Sequence, residues 1–372
     1  MRLRIAIWGA GKFGQYVIKK LRNNSNIEIV CFLDRNKEIV GNLVEGIKVV
    51  HTEELLNIKN KMDCILVAFV NCIDLYDELR EYNDVTFGFI NNRIFFEELD
   101  INDDIKTEQN IFWVKNCKKP LLKTLETNIV DFCNLKCKGC SHFSNLYSKG
   151  EMISYDVFCR DLQQVSKNVN INRVNLLGGE ALLNGRLLEY IEYTRKLLPF
   201  AEIRLITNGI LLPKQSNKFF KTCLNNNIEI EISEYRPTKC VIGKIEEILN
   251  DYHIRYHIRE GINSFSKNIN MQGECDRQEA MQRCIQSGCN FLRNGNIYKC
   301  PFEALGNKFF EYYKLNIRLK GGIDIYNEDL DWDQVVRILE KEPVDSCKYC
   351  GEYEEFKWEV SNQPQMQDWI IN

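Results

Sequence analysis

Histidine is scarce. The 372-residue chain has four, at positions 51, 142, 253 and 257. They are too few and too scattered to build a histidine-rich metal site. The one i, i+4 pair, in "HIRYH" (His253 to His257), sits in a stretch that reads as a strand and lacks the glutamate of a HExxH helix. Positive charge is not in excess either. The formal net charge of −3 leaves no basic footprint for nucleic acid. No apolar run approaches the length that crosses a bilayer. The opening "MRLRIAIWGAGKFG" starts basic, but its apolar run breaks at Gly9, so it reads as a first strand and not as a secretory signal. The expected setting is the cytoplasm.

Cysteine, by contrast, is abundant. Sixteen thiols in a reducing compartment stay free, so clustered ones point to metal binding or chemistry. "DFCNLKCKGCSHF" (Asp131 to Phe143) places Cys133, Cys137 and Cys140 within eight residues. An odd number of thiols in so short a loop argues against disulfides. A structural zinc site normally takes four ligands. An iron–sulfur cluster with one iron left open takes three. The rest of the composition, 44% hydrophobic and 27% charged, is that of a soluble globular protein with room for two or three domains.

The first hundred residues alternate strand-like and helix-like segments, which predicts an α/β fold with a Rossmann-like parallel sheet. "RLRIAIWGAGKFGQYVIKKL" reads as strand, glycine turn and amphipathic helix. Gly9, Gly11 and Gly14 fit GxGxxG, where the backbone turns tightly and can lie close to a phosphate. The next strand, "IEIVCFLD", ends in Asp34, where such folds place an acid for a ribose hydroxyl. A nucleotide or nucleotide-sugar, NAD, or no ligand at all in a docking module are the open readings. "FLDRNKEIVGNLVEGIKVVHTEELL" also resembles the N-terminal domain of sugar acyltransferases of bacterial glycan pathways. That resemblance implies a bound nucleotide-linked sugar. No Tyr-Lys pair of the sugar-nucleotide epimerase type supports redox chemistry with NAD there.

Residues 101–123 are mixed and polar and read as a linker. From about Leu125 a second strand–helix alternation begins, which predicts an open sheet or a partial (β/α)6 barrel. Each predicted strand ends in something polar or conformationally special: Cys133, then Gly178-Gly179-Glu180, then Thr207-Asn208-Gly209, then Ser233. Chemistry in such folds belongs at those ends.

These residues resemble the radical S-adenosylmethionine (SAM) superfamily. Cys133, Cys137 and Cys140 match its CxxxCxxC loop, and Gly178, Gly179 and Glu180 match its GGE motif. "ITNG" with Asn208 and "ISEY" with Ser233 stand where the family contacts the ribose and carboxylate of SAM. The resemblance implies a 4Fe–4S cluster on the three thiolates, with the fourth iron open to the amino and carboxylate groups of SAM. One electron then breaks a carbon–sulfur bond, and the 5′-deoxyadenosyl radical takes hydrogen from an unactivated carbon. Gly178 and Gly179 would let the backbone approach SAM, and Glu180 would accept from its ammonium group. A flavodoxin or ferredoxin-type protein would donate the electron. One departure is Gly139, where many members carry an aromatic against the adenine; Phe143 is the expected substitute. A structural zinc loop is the alternative for the three cysteines.

The last hundred residues hold a second cysteine set: Cys284, Cys289 and Cys300, then Cys347 and Cys350 in "CKYC". The region resembles the twitch and SPASM extensions of radical SAM enzymes, which implies an auxiliary 4Fe–4S cluster on Cys284, Cys300, Cys347 and Cys350. Gly295 fits the same pattern, and "NGNIYK" reads as a hairpin. A single CxxC favours the one-cluster twitch form, with Cys289 as a possible fifth ligand. A four-cysteine zinc site is the rival. The expected domains are therefore 1–100 for nucleotide or nucleotide-sugar binding, 101–123 as linker, 124–274 as radical SAM core and 275–372 for the auxiliary cluster. The expected substrate is a sugar or nucleotide-linked sugar, dehydrogenated or epimerised. Peptide modification and a zinc-binding, nucleotide-sensing scaffold are the other function classes.

Overall fold

A computed structural model of the chain describes residues 2–22, 25–69, 71–82, 84–90, 111–115 and 118–371. It divides into two compact units, Met1–Leu121 and Leu122–Asn372.

The first unit is one sheet. Its strands are β1 (Leu3–Trp8), β2 (Ile27–Asp34), β3 (Leu43–Val44), β4 (Ile47–His51), β5 (Cys64–Val67), β6 (Thr86–Ile90) and β7 (Ile111–Lys115), in the order β3-β4-β2-β1-β5-β6-β7. The five central strands are parallel; β3 and β7 close the edges antiparallel. β7 falls within the stretch read as linker. Its Ile111 and Val114 are buried against the sheet, so residues 111–115 belong to this unit. The linker residues 101–110, with 116 and 117, lie outside the described residues. Apolar residues on both faces of β1, such as Ile5, Ala6 and Ile7, are buried, as a sheet covered on two sides requires.

The strand order reverses at β1, and the glycine turn follows that strand, at the switch point of the sheet. Gly9 has φ +110°, which a side chain disfavours. A Cβ on Gly14 would lie 1.8 Å from the Gly9 carbonyl oxygen, so the helix Lys12–Leu21 can start this close to the turn only with glycine there.

The second unit is built on an eight-stranded sheet. It runs β8 (Leu121–Val130), β9 (Asn170–Gly178), β10 (Glu202–Thr207), β11 (Ile228–Ser233) and β12 (Tyr256–Arg259). A two-stranded ribbon pairs β13 (Ser264–Ile269) with the later β17 (Cys350–Lys357). β14 (Asn290–Arg293), β15 (Asn296–Tyr298) and β16 (Ile323–Asp324) complete the large sheet, in the order β12-β11-β10-β9-β8-β14-β15-β16. β14 runs parallel to β8. The cysteine-rich C-terminal region therefore supplies three strands of the main sheet and does not stand apart as a separate compact unit.

Alternation in the strands explains the layers. In β11, "IEIEIS", the isoleucines join the core under the helices, while Glu229 and Glu231 face the other way and are buried around Arg204. The helices Tyr155–Asn168, Leu187–Leu197, Asn217–Asn225 and Ile242–Asp251 each present an apolar stripe to that core. Phe158, Leu162 and Val165 form the first of these stripes. The Asn-Gly turn between β14 and β15 has positive φ at both Asn294 and Gly295, as a two-residue hairpin wants. Among the described residues no helix is long and apolar enough to cross a membrane.

Replacing Gly14 with alanine should destabilise the first unit by about 1–3 kcal/mol, the usual cost of overpacking. Thermal unfolding followed by circular dichroism would read this as a lowered first transition.

Candidate functional site

Both cysteine sets line one cavity of about 510 Å³ in the second unit. Cys133, Cys137 and Cys140 stand on one wall, with Gly178, Gly179, Asn208 and Ser233 from the strand ends. Cys284, Cys289, Cys300, Cys347 and Cys350 line another part of it.

The cysteine loop leaves β8 and is held from beneath by the next strand. Gly179 N–H donates to the Val130 carbonyl at 2.9 Å, and Glu180 N–H to the Phe132 carbonyl at 3.1 Å. A Cβ on Gly178 would meet the Val130 oxygen at 2.0 Å, and one on Gly179 the Phe132 oxygen at 2.2 Å. The glycines are thus required first by the approach of β9 to the cysteine loop. Asp131, buried at the start of the loop, takes both arms of Arg293 at 2.8 and 2.9 Å.

Glu180 departs from the expected role. It is 1% exposed and is not part of the cavity wall. Oε1 accepts from Leu182 N–H at 3.0 Å and from the Thr207 hydroxyl at 2.6 Å, and Oε2 from Asn208 N–H at 2.8 Å. Burial raises its pKa against those donors. Its carboxyl group ties the end of β9 to the end of β10 and so sets where Asn208 stands.

Each thiol of the first set has a neighbouring donor. Leu135 N–H donates to Cys133 Sγ at 3.3 Å, and Trp358 Nε1–H to Cys137 Sγ at 3.3 Å. Ser144 Oγ lies 3.1 Å from Cys140 Sγ. The loop is also gripped by a distant segment. Lys138 N–H donates to the Glu359 carbonyl, Ser361 N–H to that of Lys136, and Trp369 Nε1–H to that of Cys140. Gly139 has φ +61°, and a Cβ there would lie 2.6 Å from the Phe356 ring. Phe356 therefore fills the space beside Gly139. Phe143, on the cavity wall, is 2% exposed and packed among Phe302, Phe309 and Trp369.

Burial pushes the Cys137 thiol up to about 12, with the charge of Cys140 adding to the effect, and burial likewise raises Cys133. Burial pushes Cys300 up to about 12 and raises Cys347 and Cys350 as well. Thiolates crowded in this way need a cation, which is what iron supplies. Ser346 Oγ, buried beside Cys347, has no hydrogen-bond partner among the described residues; a sulfur acceptor in the cavity would satisfy it. Lys299 is buried near Cys347, Cys300 and Cys284, its Nζ donating to the carbonyls of Ile338 and Leu339. Among the described residues no three His, Cys, Asp or Glu side chains converge as a single metal ion would need. Three thiols in one loop at the cavity wall are the kind of donor set that an iron–sulfur cluster takes.

In the first unit, Gly9 and Gly11 form the turn, and Gly14 lies in the first turn of the helix, against the Gly9 carbonyl. Asp34 has an internal task there. Its Oδ2 accepts from Ala10 N–H at 2.8 Å and its Oδ1 from Asn36 N–H at 2.9 Å, which fixes the turn.

Residues 127–270 match the Radical SAM superfamily. A GTP 3′,8-cyclase of Clostridium acetobutylicum is 34% identical over 259 residues, which cover 61% of this chain and 75% of that relative. The chain belongs to the radical SAM superfamily. This radical SAM enzyme works with a 4Fe–4S cluster and SAM. It is also similar to the GTP 3′,8-cyclase of Thermodesulfovibrio yellowstonii, 25% identical over 33% of this chain and only 40% of that relative. Residues 1–95 match a family described as C2185-like, N-terminal. Among solved structures, BtrN in complex with AdoMet and 2-DOIA overlays with a TM-score of 0.40 at 18% identity, covering 68% of this chain and 100% of that one. Native anSMEcpe with bound AdoMet and Cp18Cys peptide overlays at 0.29 and 22% identity, over 37% of this chain and 42% of that one. Both overlays are loose, and the family assignment rests on the sequence matches.

Trp358, Trp369, Phe356 and Ser346 are the site residues that motif reading misses. They carry no motif: Trp369 and Ser346 line the cavity, and Trp358 and Phe356 lie against the cysteine loop, all brought there by tertiary contacts. Replacing Glu180 with alanine should cost about 1–3 kcal/mol for each donor left unpaired. Urea unfolding of the variant, beside Glu180→Gln, would read that loss.

Proposed function

We propose that this radical SAM enzyme removes hydrogen from a carbon of a polyhydroxylated small molecule, a sugar or nucleotide-linked sugar, and dehydrogenates or epimerises it. The observation that carries the reading is the shared cavity: a substrate within it would lie between the two thiol sets. Its volume suits a drug-sized ligand. Ser264, Ser266, Asn268 and Lys267 on its wall offer partners for hydroxyl groups.

Cys133, Cys137 and Cys140 would hold the SAM cluster. When bound, that cluster and SAM supply one-electron cleavage of the sulfonium and a radical able to take hydrogen from carbon. Asn208 and Ser233 would orient SAM by hydrogen bonds, and the walls would keep water from the reacting carbon. Cys284, Cys300, Cys347 and Cys350 would hold an auxiliary 4Fe–4S cluster able to accept an electron from the substrate. Lys299 would offset part of the charge of those thiolates. Residues 1–100 would bind a nucleotide or nucleotide-sugar of their own accord, with Gly9, Gly11 and Gly14 against a phosphate and Asp34 holding the turn. A flavodoxin or ferredoxin-type donor in the cytoplasm would provide the electron.

A second reading has its own support. The curated relatives carry the name GTP 3′,8-cyclase, which favours a guanosine nucleotide as substrate. Incubation with a panel of deuterated nucleotide-sugars and deuterated GTP separates the two. Deuterium should appear in 5′-deoxyadenosine with a nucleotide-sugar; label from GTP alone would sink the lead reading.

Anaerobically purified protein should carry about eight irons, and the Cys347→Ala/Cys350→Ala variant about four, by colorimetric iron assay. Cys137→Ala should abolish 5′-deoxyadenosine formation while the first unit keeps its unfolding transition. Persistent cleavage would show that the cluster is held elsewhere.

A further inference from the structure

We propose that Trp358 sets the reduction potential of the SAM cluster, through its indole N–H bonded to the sulfur of Cys137. The inference rests on the reading of Cys137 as a cluster ligand. Trp358 does not line the cavity; it is a positioning residue that acts through the thiolate.

The indole is well placed to do this. Nε1 lies 3.3 Å from Cys137 Sγ, and the side chain is 9% exposed, so no water competes freely for the bond. The ring is stacked on Tyr235, with centroids 5.2 Å apart and planes inclined by 15°. Tyr235 is braced in turn by an edge contact with Phe265 at 5.9 Å. The backbone at Trp358 donates to the Asn263 carbonyl at 2.9 Å, and its neighbours Glu359 and Val360 pair with the cysteine loop at Lys138 and Cys137. Indole nitrogen is a donor only, so its one polar group has no other use in this buried position.

A hydrogen bond to a ligating sulfur withdraws electron density from the cluster and favours its reduced form. The oxidised cluster carries less negative charge than the reduced one, so the bond is stronger after reduction. Loss of the N–H should therefore move the potential downward and leave the cluster harder to reduce. Beside the other two thiols stand Leu135 N–H and, at 3.7 Å, the Asn208 side-chain amide for Cys133, and the Ser144 hydroxyl for Cys140. Trp358 comes from farthest along the chain, 221 residues from its thiol, and at 3.3 Å lies closer to its sulfur than the Asn208 amide does.

The test is a potentiometric titration of the reconstituted full chain, followed by electron paramagnetic resonance, for wild type and Trp358→Phe. Phenylalanine keeps a ring for Tyr235 and removes the N–H. The variant, loaded with wild-type iron, should be about tenfold less reducible at a given potential, a downward shift of about 59 mV for a one-electron couple. An unchanged potential at full iron would overturn the proposal and leave the cluster assignment standing. Failure of the wild type itself to take up iron would overturn the cluster assignment instead. If Trp358→Phe does not load, 3-benzothienylalanine at position 358 keeps the bicyclic shape and replaces the N–H by sulfur. A downward shift in that protein supports the proposal. Wild-type potential, or loss of iron even with this shape preserved, overturns it in favour of a purely structural role.

Discussion

Two backbone hydrogen bonds, from Gly179 to Val130 and from Glu180 to Phe132, decide where the cysteine loop sits. They form only because positions 178 and 179 have no side chain, since a Cβ at either would overlap the carbonyls it must reach. Glu180 extends the same device sideways. Its buried carboxyl gathers Leu182, Thr207 and Asn208, so that with the two backbone bonds the ends of β8, β9 and β10 are fixed relative to one another, while the carboxyl itself lies off the cavity wall. Preorganisation of this kind lets a loop of thiols behave as part of a rigid sheet.

The opposite side of the loop is held by a different part of the chain. β17 and the residues after it supply Phe356, Trp358 and Trp369, which fill the space beside Gly139, bond Cys137 and bond the carbonyl of Cys140. The same strand begins at Cys350 and pairs with β13. One strand thus reaches from the second thiol set to the first. Together with β14, which pairs directly with β8, it makes the two sets neighbours in a single structural unit.

How much of this is legible in the sequence depends on range. Apolar runs ending in a polar or glycine residue locate β8 to β11, and the Asn294-Gly295 pair announces its hairpin, because those signals are local. The closeness of three cysteines in one loop is equally plain. What pairs across long separations is not: nothing in "NFLR" says that β14 will lie beside β8, and nothing in "IFWVK" marks an antiparallel edge strand. Glu180 shows another limit. A carboxylate after two glycines suits either a ligand contact or a buried tie, and only the positions of Thr207 and Asn208 decide between them. The surroundings of Phe143 are equally non-local. Its aromatic neighbours Phe302, Phe309 and Trp369 come from far along the chain and claim it for the core.

The span between Cys137 and Trp358 has a bearing on how the protein matures. A ribosome exposes the cysteine loop long before it exposes the indole, 221 residues later. Until then one flank of the loop lies bare to solvent and to stray oxidants. Iron delivered early would meet an open cradle, and iron delivered late would have to enter through the mouth of a finished one. The cysteine loop thus gains its last neighbour only when almost the whole chain has been made.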